Sequence, residues 1–594
     1  MTHPTAEAIP AGREARAVPE TRPVPAGAAG ARSSRVFLPA AATGALLWAS
    51  FFPLALGLLA WVALVPFCLL VFARASGGRL FLASLVGGLV FFVPALQWVR
   101  VAHPMMYLAW VGLALLCALY FPLALFLTRR LVLRGVLPLV AALPVVWTVL
   151  EFVRGTFLGG FAWYFLGHSQ HDFLPVIQVA DLTGVYGISF AVALVNAFLA
   201  SAVLRSGAVR RFLRTDPAAP VPGERGLRLA AVGTTLLLAL VLGYGVYRLE
   251  HEPFEAGPRV ALIQGNIPQA VRNARNDADQ EEARKAVGNM YKHHTDLANT
   301  AALRRPPPEL IIWPETSYPW TWVMRAPDAG GAQTEEEAAA WGALEGEVRK
   351  DFAGMARAWR AYVLLGLNSL ESRPGGKTVK YNTALLIAPS GEPVDVYHKM
   401  HRVPFGEYVP FKETLPFMRW FTPYDYEYGI EAGGSWTRFP VEDDGRTYHF
   451  GVLICYEDSD PTLARSYVPW NEPDATEAAE RPVDFLVNIP NDGWFKGTSE
   501  HEEHLAISRF RAVESRRALV RAVNMGISAV IDGDGRVVAL PGQTWADSKK
   551  REAVVIADVP IDRRRSVYAL LGDWLPAACG LVLAGGLIAG YRRR

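Results

Sequence analysis

The chain is poor in cysteine and poor in charge. It has four cysteines in 594 residues. Cys68, Cys117 and Cys579 each lie inside a long apolar segment, so Cys455 stands alone in the polar half and has no partner there for an internal disulfide. A solitary thiol of this kind is either an inert buried residue or a nucleophile. Charged residues make up 19% and hydrophobic residues 51%, a balance that leans towards a membrane protein. The net charge of +3 is small, and the arginines are scattered around apolar segments instead of forming one basic face. That pattern excludes a nucleic-acid partner. Internal repeats are absent, and the length exceeds that of one ordinary domain.

What is present is a series of apolar runs. Crossing the hydrocarbon core takes about 20 apolar residues per helix. Candidate spans are 36–48, 54–72, 80–99, 105–127, 136–149, 188–204, 229–246 and 574–591, of which 36–48 and 136–149 are short. Residues 1–35, rich in Ala, Pro, Arg and Glu, read as a disordered tail, and the first run after it as an uncleaved anchor. Loop arginines set the orientation. With the N-terminus inside, the inner loops hold Arg74, Arg79, Arg129, Arg130, Arg134 and the arginines of 205–228, and the tail Arg592-Arg593-Arg594 is inside too. The short outer loops hold little beyond Arg100 and Arg154, although Arg563-Arg564-Arg565 also falls outside. About eight spans are therefore expected, with both termini cytoplasmic. The division is a tail (1–35), a helical membrane domain (36–250, about seven spans), an extracytoplasmic domain (251–565) and a last span with a basic tail (566–594). The loop 151–186 mixes aromatic, glycine and polar residues at membrane depth. It reads either as an interfacial aromatic belt or as part of a lipid-facing cavity.

From Arg259 the texture changes to short strands alternating with polar helices. Strands are expected at 259–264, 309–313, 361–367, 382–388, 448–454, 484–488, 518–524 and 553–559, and helices at 338–360 and 501–517. This makes an α/β domain with its own core. Residues 325–340 and 471–481 read as mobile excursions, and the aromatic 415–421 as either a lid dipping into the interface or an ordinary core segment.

Three sites carry candidate chemistry. The run Gly451-Val452-Leu453-Ile454 delivers Cys455 to a strand end before a turn. Leu310-Ile311-Ile312-Trp313-Pro314 stops at a proline and presents Glu315, and Tyr397-His398-Lys399-Met400-His401 presents a lysine. Singly, the glutamate and the lysine read as solvated side chains. Together they meet a chemical need. A thiol attacks a carbonyl as thiolate, so it needs a base, which Glu315 can be. The oxyanion then needs positive charge or N–H donors, which Lys399 and the amide of Tyr456 can supply.

At this point the chain resembles a known family. Trp313-Pro314-Glu315, Lys399 with its 403–410 tail, and Cys455-Tyr456-Glu457 look like the Glu-Lys-Cys triad of the nitrilase superfamily. Added to the spans are Gln264-Gly265-Asn266-Ile267-Pro268-Gln269, Asn491-Asp492-Gly493-Trp494-Phe495 and the run 521–531. With these the chain resembles the membrane-bound apolipoprotein N-acyltransferase branch, from Val36 to the C-terminus. The resemblance implies an αββα sandwich on a helical membrane base, in a bacterial inner membrane with the catalytic domain on the periplasmic side. It implies ping-pong transfer of an acyl chain from a phospholipid, through a cysteine thioester, to the amino group of diacylglyceryl-cysteine on an apolipoprotein, with no metal or soluble cofactor. Glu315 would be the base, Lys399 the oxyanion stabiliser and Cys455 the nucleophile, supported by Glu407, Tyr456 and Glu457. Two departures stand out. Ala270-Val271-Arg272-Asn273 occupies a place where the family often has a tryptophan, which Trp320 or Trp322 could replace, and Asp-Gly-Trp-Phe replaces Asp-Ala-Trp-Phe. The alternatives are a membrane-tethered amidohydrolase with the same triad and a transporter or scaffold with a decayed enzyme domain. The near absence of charge inside the spans and the intact triad speak against the latter.

Overall fold

The computed structural model describes residues 30–215, 219–251, 254–269, 272, 280–325, 335–373, 377–404, 406–409, 414, 429–469 and 481–592. The expected tail up to residue 29, the aromatic stretch 415–421 and most of both excursions lie outside these residues.

Among the described residues, six helices are long and apolar enough to cross a membrane: Gly77–Ala95, Met106–Leu133, Leu139–Gly159, Val185–Val203, Glu224–Glu250 and Trp574–Arg592. Two of the eight expected spans are thus shorter. The first is a helix of Gly30–Ala49 that begins inside the expected tail, its apolar part being Arg35–Ala49. The second, expected at 54–72, is broken into a turn and two short helices, Ala60–Ala63 and Val65–Leu70. Pro66 starts the second of these, where its missing N–H interrupts the hydrogen-bond ladder. The run 136–149 is the core of a longer helix that continues past Glu151 and Arg154.

The polar region is a sandwich of two sheets. Its strands are β1 (Glu255–Gln264), β2 (Leu310–Ile312), β3 (Trp322–Arg325), β4 (Tyr362–Ser372), β5 (Thr378–Ile387), β6 (Pro393–His398), β7 (Arg438–Asp443), β8 (Arg446–Leu453), β9 (Phe485–Asn488), β10 (Ala518–Arg521), β11 (Ala529–Ile531), β12 (Val537–Ala539) and β13 (Ala553–Ile561). One sheet runs β13-β1-β2-β4-β5-β6, with β3 beside β4, and the other β12-β11-β10-β9-β8-β7. Val260, Leu262, Leu364 and Leu386 of the first meet Phe450, Val452, Val487 and Val520 of the second in a dry core. Helices Gln280–Ala302 and Glu335–Trp359 cover the outer face of the first sheet through Leu297, Val348, Phe352 and Trp359. Helices Pro461–Ser466 and Glu500–Ser515 cover the second through Leu463, Leu505 and Ala512. The αββα arrangement expected from the sequence is present.

Each sheet has a parallel core, β1-β2-β4 in one and β8-β9-β10 in the other. Open α/β sheets place their sites at the carboxyl ends of such strands. Glu315 follows β2, Cys455 follows β8, Asn488 ends β9 and Arg521 ends β10.

Candidate functional site

Each candidate side chain is aimed by its local backbone. β2 ends in Trp313-Pro314, and Gly366 on β4 backs the turn so closely that a Cβ there would come within 2.2 Å of the Pro314 carbonyl. Arg272 donates to the carbonyls of Glu315 and Thr316, at 3.0 Å each. Asn382 Nδ2 donates to Glu315 Oε1 at 2.7 Å. Lys399 follows β6 and is fully buried; its Nζ lies 2.7 Å from Glu407 Oε1 and 3.5 Å from Glu315 Oε1. Burial opposes the charge on this lysine, but Glu407 and Glu315 outweigh it and hold its pKa above the ordinary lysine value. Glu407 Oε2 accepts from the Val403 N–H, closing the loop around the ammonium.

Cys455 stands at the start of a short 3₁₀ turn, Cys455–Ser459, with φ at +55°. Its thiol is pushed well above the ordinary value of 9 by burial, with Glu315 adding to the effect and Lys399 opposing it. The resting sulfur is therefore a neutral thiol that needs a base. Glu457 locks the turn to the lysine strand. Its Oε1 accepts from the N–H groups of Met400 and His401, and its Oε2 from Ile454 N–H and Tyr397 hydroxyl. Burial pushes Glu457 up to about 7 against the pull of those donors.

The site abuts the membrane domain. Tyr456 hydroxyl donates to the Gly160 carbonyl at 3.0 Å, and His401 Nε2 lies 2.9 Å from the Gly159 carbonyl. These glycines belong to the 151–186 loop, which is folded inward and is not an interfacial belt: Trp163 to His171 are buried, and Arg154 donates to the carbonyls of Phe161, Trp163 and Tyr164. Glu151, Arg154 and Tyr164 line a cavity of ≈ 30 Å³ with Phe91, Phe121 and Trp147.

All six residues expected from the sequence thus gather in one region. Trp322 does not join them; it packs on Phe352 in the outer layer. Sequence reasoning missed Asn382, Asn488 and His504. Arg521 opens the run 521–531, and the sequence alone assigns it no role. Asp492, Glu500 and His504 approach one another closely enough to suggest a cation. His504 already faces Asp492 through Nδ1 and Asp458 through Nε2, and Arg521 lies against the same two aspartates, so the cluster reads as an ion-pair network.

Comparison with known proteins gives two family matches. Residues 43–198 match the apolipoprotein N-acyltransferase N-terminal domain, and residues 259–569 match carbon-nitrogen hydrolase. A carbon-nitrogen hydrolase structure from Helicobacter pylori aligns at a TM-score of 0.31 and 14% identity, covering 57% of this chain and 94% of that one. An apolipoprotein N-acyltransferase from Rhodopirellula baltica is 27% identical, covering 91% of this chain and 95% of its own. The enzyme of that name from Geobacter metallireducens is 32% identical over 570 residues, covering 94% of this chain and 96% of its own. Similarity over nearly the whole length, membrane helices included, favours transfer over the amidohydrolase alternative. The chain belongs to the apolipoprotein N-acyltransferase family.

Proposed function

We propose that Cys455, Glu315 and Lys399 form the acyl-transfer centre of an N-acyltransferase that completes lipoprotein maturation. The donor is a phospholipid and the acceptor is the α-amino group of diacylglyceryl-cysteine on an apolipoprotein. Glu315 takes the proton from Cys455 Sγ as the sulfur attacks the donor's ester carbonyl. Lys399 Nζ and the Tyr456 N–H stabilise the oxyanion. Collapse breaks the ester C–O bond, Glu315 returns the proton to the leaving oxygen, and a lysophospholipid departs from a thioester at Cys455. In the second half the acceptor amine attacks the thioester carbonyl, Glu315 takes the amine's proton, and the C–S bond breaks. The proton then passes to the sulfur, which regenerates the thiol. Glu407 holds Lys399, and Glu457 and Tyr456 hold the nucleophile turn between the lysine strand and the membrane loop.

The observation that carries this reading is the meeting of a thiol, a carboxylate and a buried ammonium against a loop of the membrane domain. Acyl chains can stay in the bilayer while the ester reaches a polar site. The bacterial sources of the relatives support a bacterial inner-membrane location, and the arginine distribution supports placing this domain on the periplasmic side.

Intact-mass measurement on the membrane-purified protein with phospholipid alone tests the reading. The expected result is a fatty-acyl adduct that is labile to hydroxylamine, absent from Cys455→Ala and transferable to a diacylated lipopeptide. Release of acid or ammonia from small amides with no adduct would point to the hydrolase, and identical behaviour of wild type and variant would overturn both.

A further inference from the structure

The mechanism uses the front of Cys455 and leaves a charged cluster behind it unused. A non-glycine residue in the left-handed region is strained and persists where its surroundings over-determine it. Cys455 is such a residue. Asn488 Nδ2 donates to the carbonyls of Leu453, at 3.0 Å, and Cys455, at 3.1 Å, gripping the turn from both sides. Asn488 Oδ1 accepts from Arg521 Nη1 at 2.5 Å. Arg521 also reaches Asp458 Oδ2 at 3.2 Å and Asp492 Oδ2 at 2.8 Å. His504 joins the same two acids, with Nε2 2.8 Å from Asp458 Oδ1 and Nδ1 3.0 Å from Asp492 Oδ1. Asn488, Arg521, Asp458, Asp492 and His504 are all buried.

The charges close. An imidazole facing a carboxylate at each nitrogen satisfies both only as the imidazolium. Burial and Arg521 oppose that charge, but Asp458 and Asp492 outweigh them and lift His504 well above its ordinary pKa. Two carboxylates then face two cations. Glu500, 3.4 Å from Nδ1, is raised by burial and by Asp492 and so adds no full charge at neutral pH. Asp492 is one of the groups that pushes the Cys455 thiol up, alongside Glu315 and Glu407 and against Lys399. Without a cation on His504, one buried negative charge behind the sulfur would be uncompensated.

We propose that His504, clamped between Asp458 and Asp492 and braced with them by Arg521 and Asn488, is a positioning residue that holds the nucleophile turn and neutralises the carboxylate charge behind Cys455. It rests on the reading of Cys455 as the nucleophile. The groups facing His504 are Asp458, Asp492, Glu500 and Arg521, and Trp163 of the membrane loop packs on its ring at 5.4 Å.

The test uses the full-length protein in detergent, with iodoacetamide alkylation of Cys455 followed against pH and thioester formation followed with phospholipid. In His504→Gln, which keeps a side chain of similar reach and loses the charge, the alkylation midpoint should move up. Thioester formation at neutral pH should fall about tenfold, the size of one pKa unit, at unchanged half-saturating phospholipid. In Asp492→Asn, which removes the charge that His504 balances, the midpoint should move down, and the double variant should return towards wild type. A purely structural role would impair both single variants in the same direction. Equal-sign shifts, or no shift in Asp492→Asn, would overturn the inference even where His504→Gln fails to fold. Absence of any adduct on the wild type would instead overturn the nucleophile assignment, and this inference with it.

Discussion

The two outer helical layers of the sandwich treat charge in opposite ways. Helix Glu335–Trp359 buries Val348, Phe352 and Met355 against its sheet, holds Asp351 half-buried under the hydroxyls of Tyr291 and Tyr318, and turns other charges to solvent, where Arg349 pairs with Glu345 and Glu392. Helix Glu500–Ser515 is at least as polar, yet all sixteen of its residues are buried. Its Leu505 and Ala512 meet the second sheet, while Ile507, Phe510 and Val513 enter the core of the membrane domain. Its charges become cross-domain bonds: Glu503 Oε1 accepts from Phe52 N–H, Glu514 Oε1 from Val185 N–H, and Arg509 pairs with Asp172 at 2.6 Å. Arg516, just after the helix, pairs with Asp181 at 2.7 Å and Asp534 at 2.9 Å. Two helices with similar composition thus do different work because one faces water and the other a second domain.

The contrast is sharpest at Arg516. Asp181 keeps Arg248 and Asp534 keeps Arg564, but Arg516→Ala removes several buried charge-assisted hydrogen bonds at once and should destabilise the protein by about 3 kcal/mol. Thermal unfolding in detergent would show it; a change under ~1 kcal/mol would mean the interface charges act like surface ones. Next comes Lys399, buried within the catalytic domain. Lys399→Met should slow thioester formation roughly 10²–10³-fold, the usual cost of losing one oxyanion partner. Because Lys399 opposes the upward push on Cys455, the alkylation midpoint of the thiol should also rise.

A pH effect of intermediate size belongs to Glu503. Burial, with Glu502 and Glu500 adding, pushes its carboxyl up to about 8 from 4.5. The folded protein holds a proton that the unfolded chain releases near 4.5, so its contribution to stability is complete below that pH and is lost as pH rises through 8. Unfolding midpoints measured from pH 5 to 9 should fall on the alkaline side, and Glu503→Gln should flatten that fall. The smallest effect is expected on the solvent side, where Arg349→Ala should change stability by less than ~1 kcal/mol, because its ion pairs are screened by water.

Much of this was legible in the residues. The eight strands expected from apolar runs are all present, because a buried strand must be apolar along its length. Of the strands missed, β6, β7 and β12 are sheet edges and β3 pairs with β4 alone, positions that need no continuous apolar run; β7 also carries Pro440, and β11 has three residues. Glu315 follows β2, and Cys455, Tyr456 and Glu457 follow β8, two strands whose apolar runs are plain in the sequence; Lys399 and Glu407 come after β6, which is not, and are legible through the family motif alone. Asn382 and His504 escaped notice because one sits inside a strand and the other on a helix whose charges suggest a solvated face.

The membrane-plus-sandwich architecture, the strand ends bearing Glu315 and Cys455, and the family can all be read from the order of residues. Local hydrophobic period and ordered motifs carry those in one dimension. Long-range packing, in contrast, breaks the run 54–72 and turns the 151–186 loop inward under Tyr456. The burial of helix Glu500–Ser515 and the closing of four charges behind Cys455 are tertiary as well. Burial of a polar residue depends on which distant partner satisfies it, and His504 meets Asp458 across 46 residues of chain.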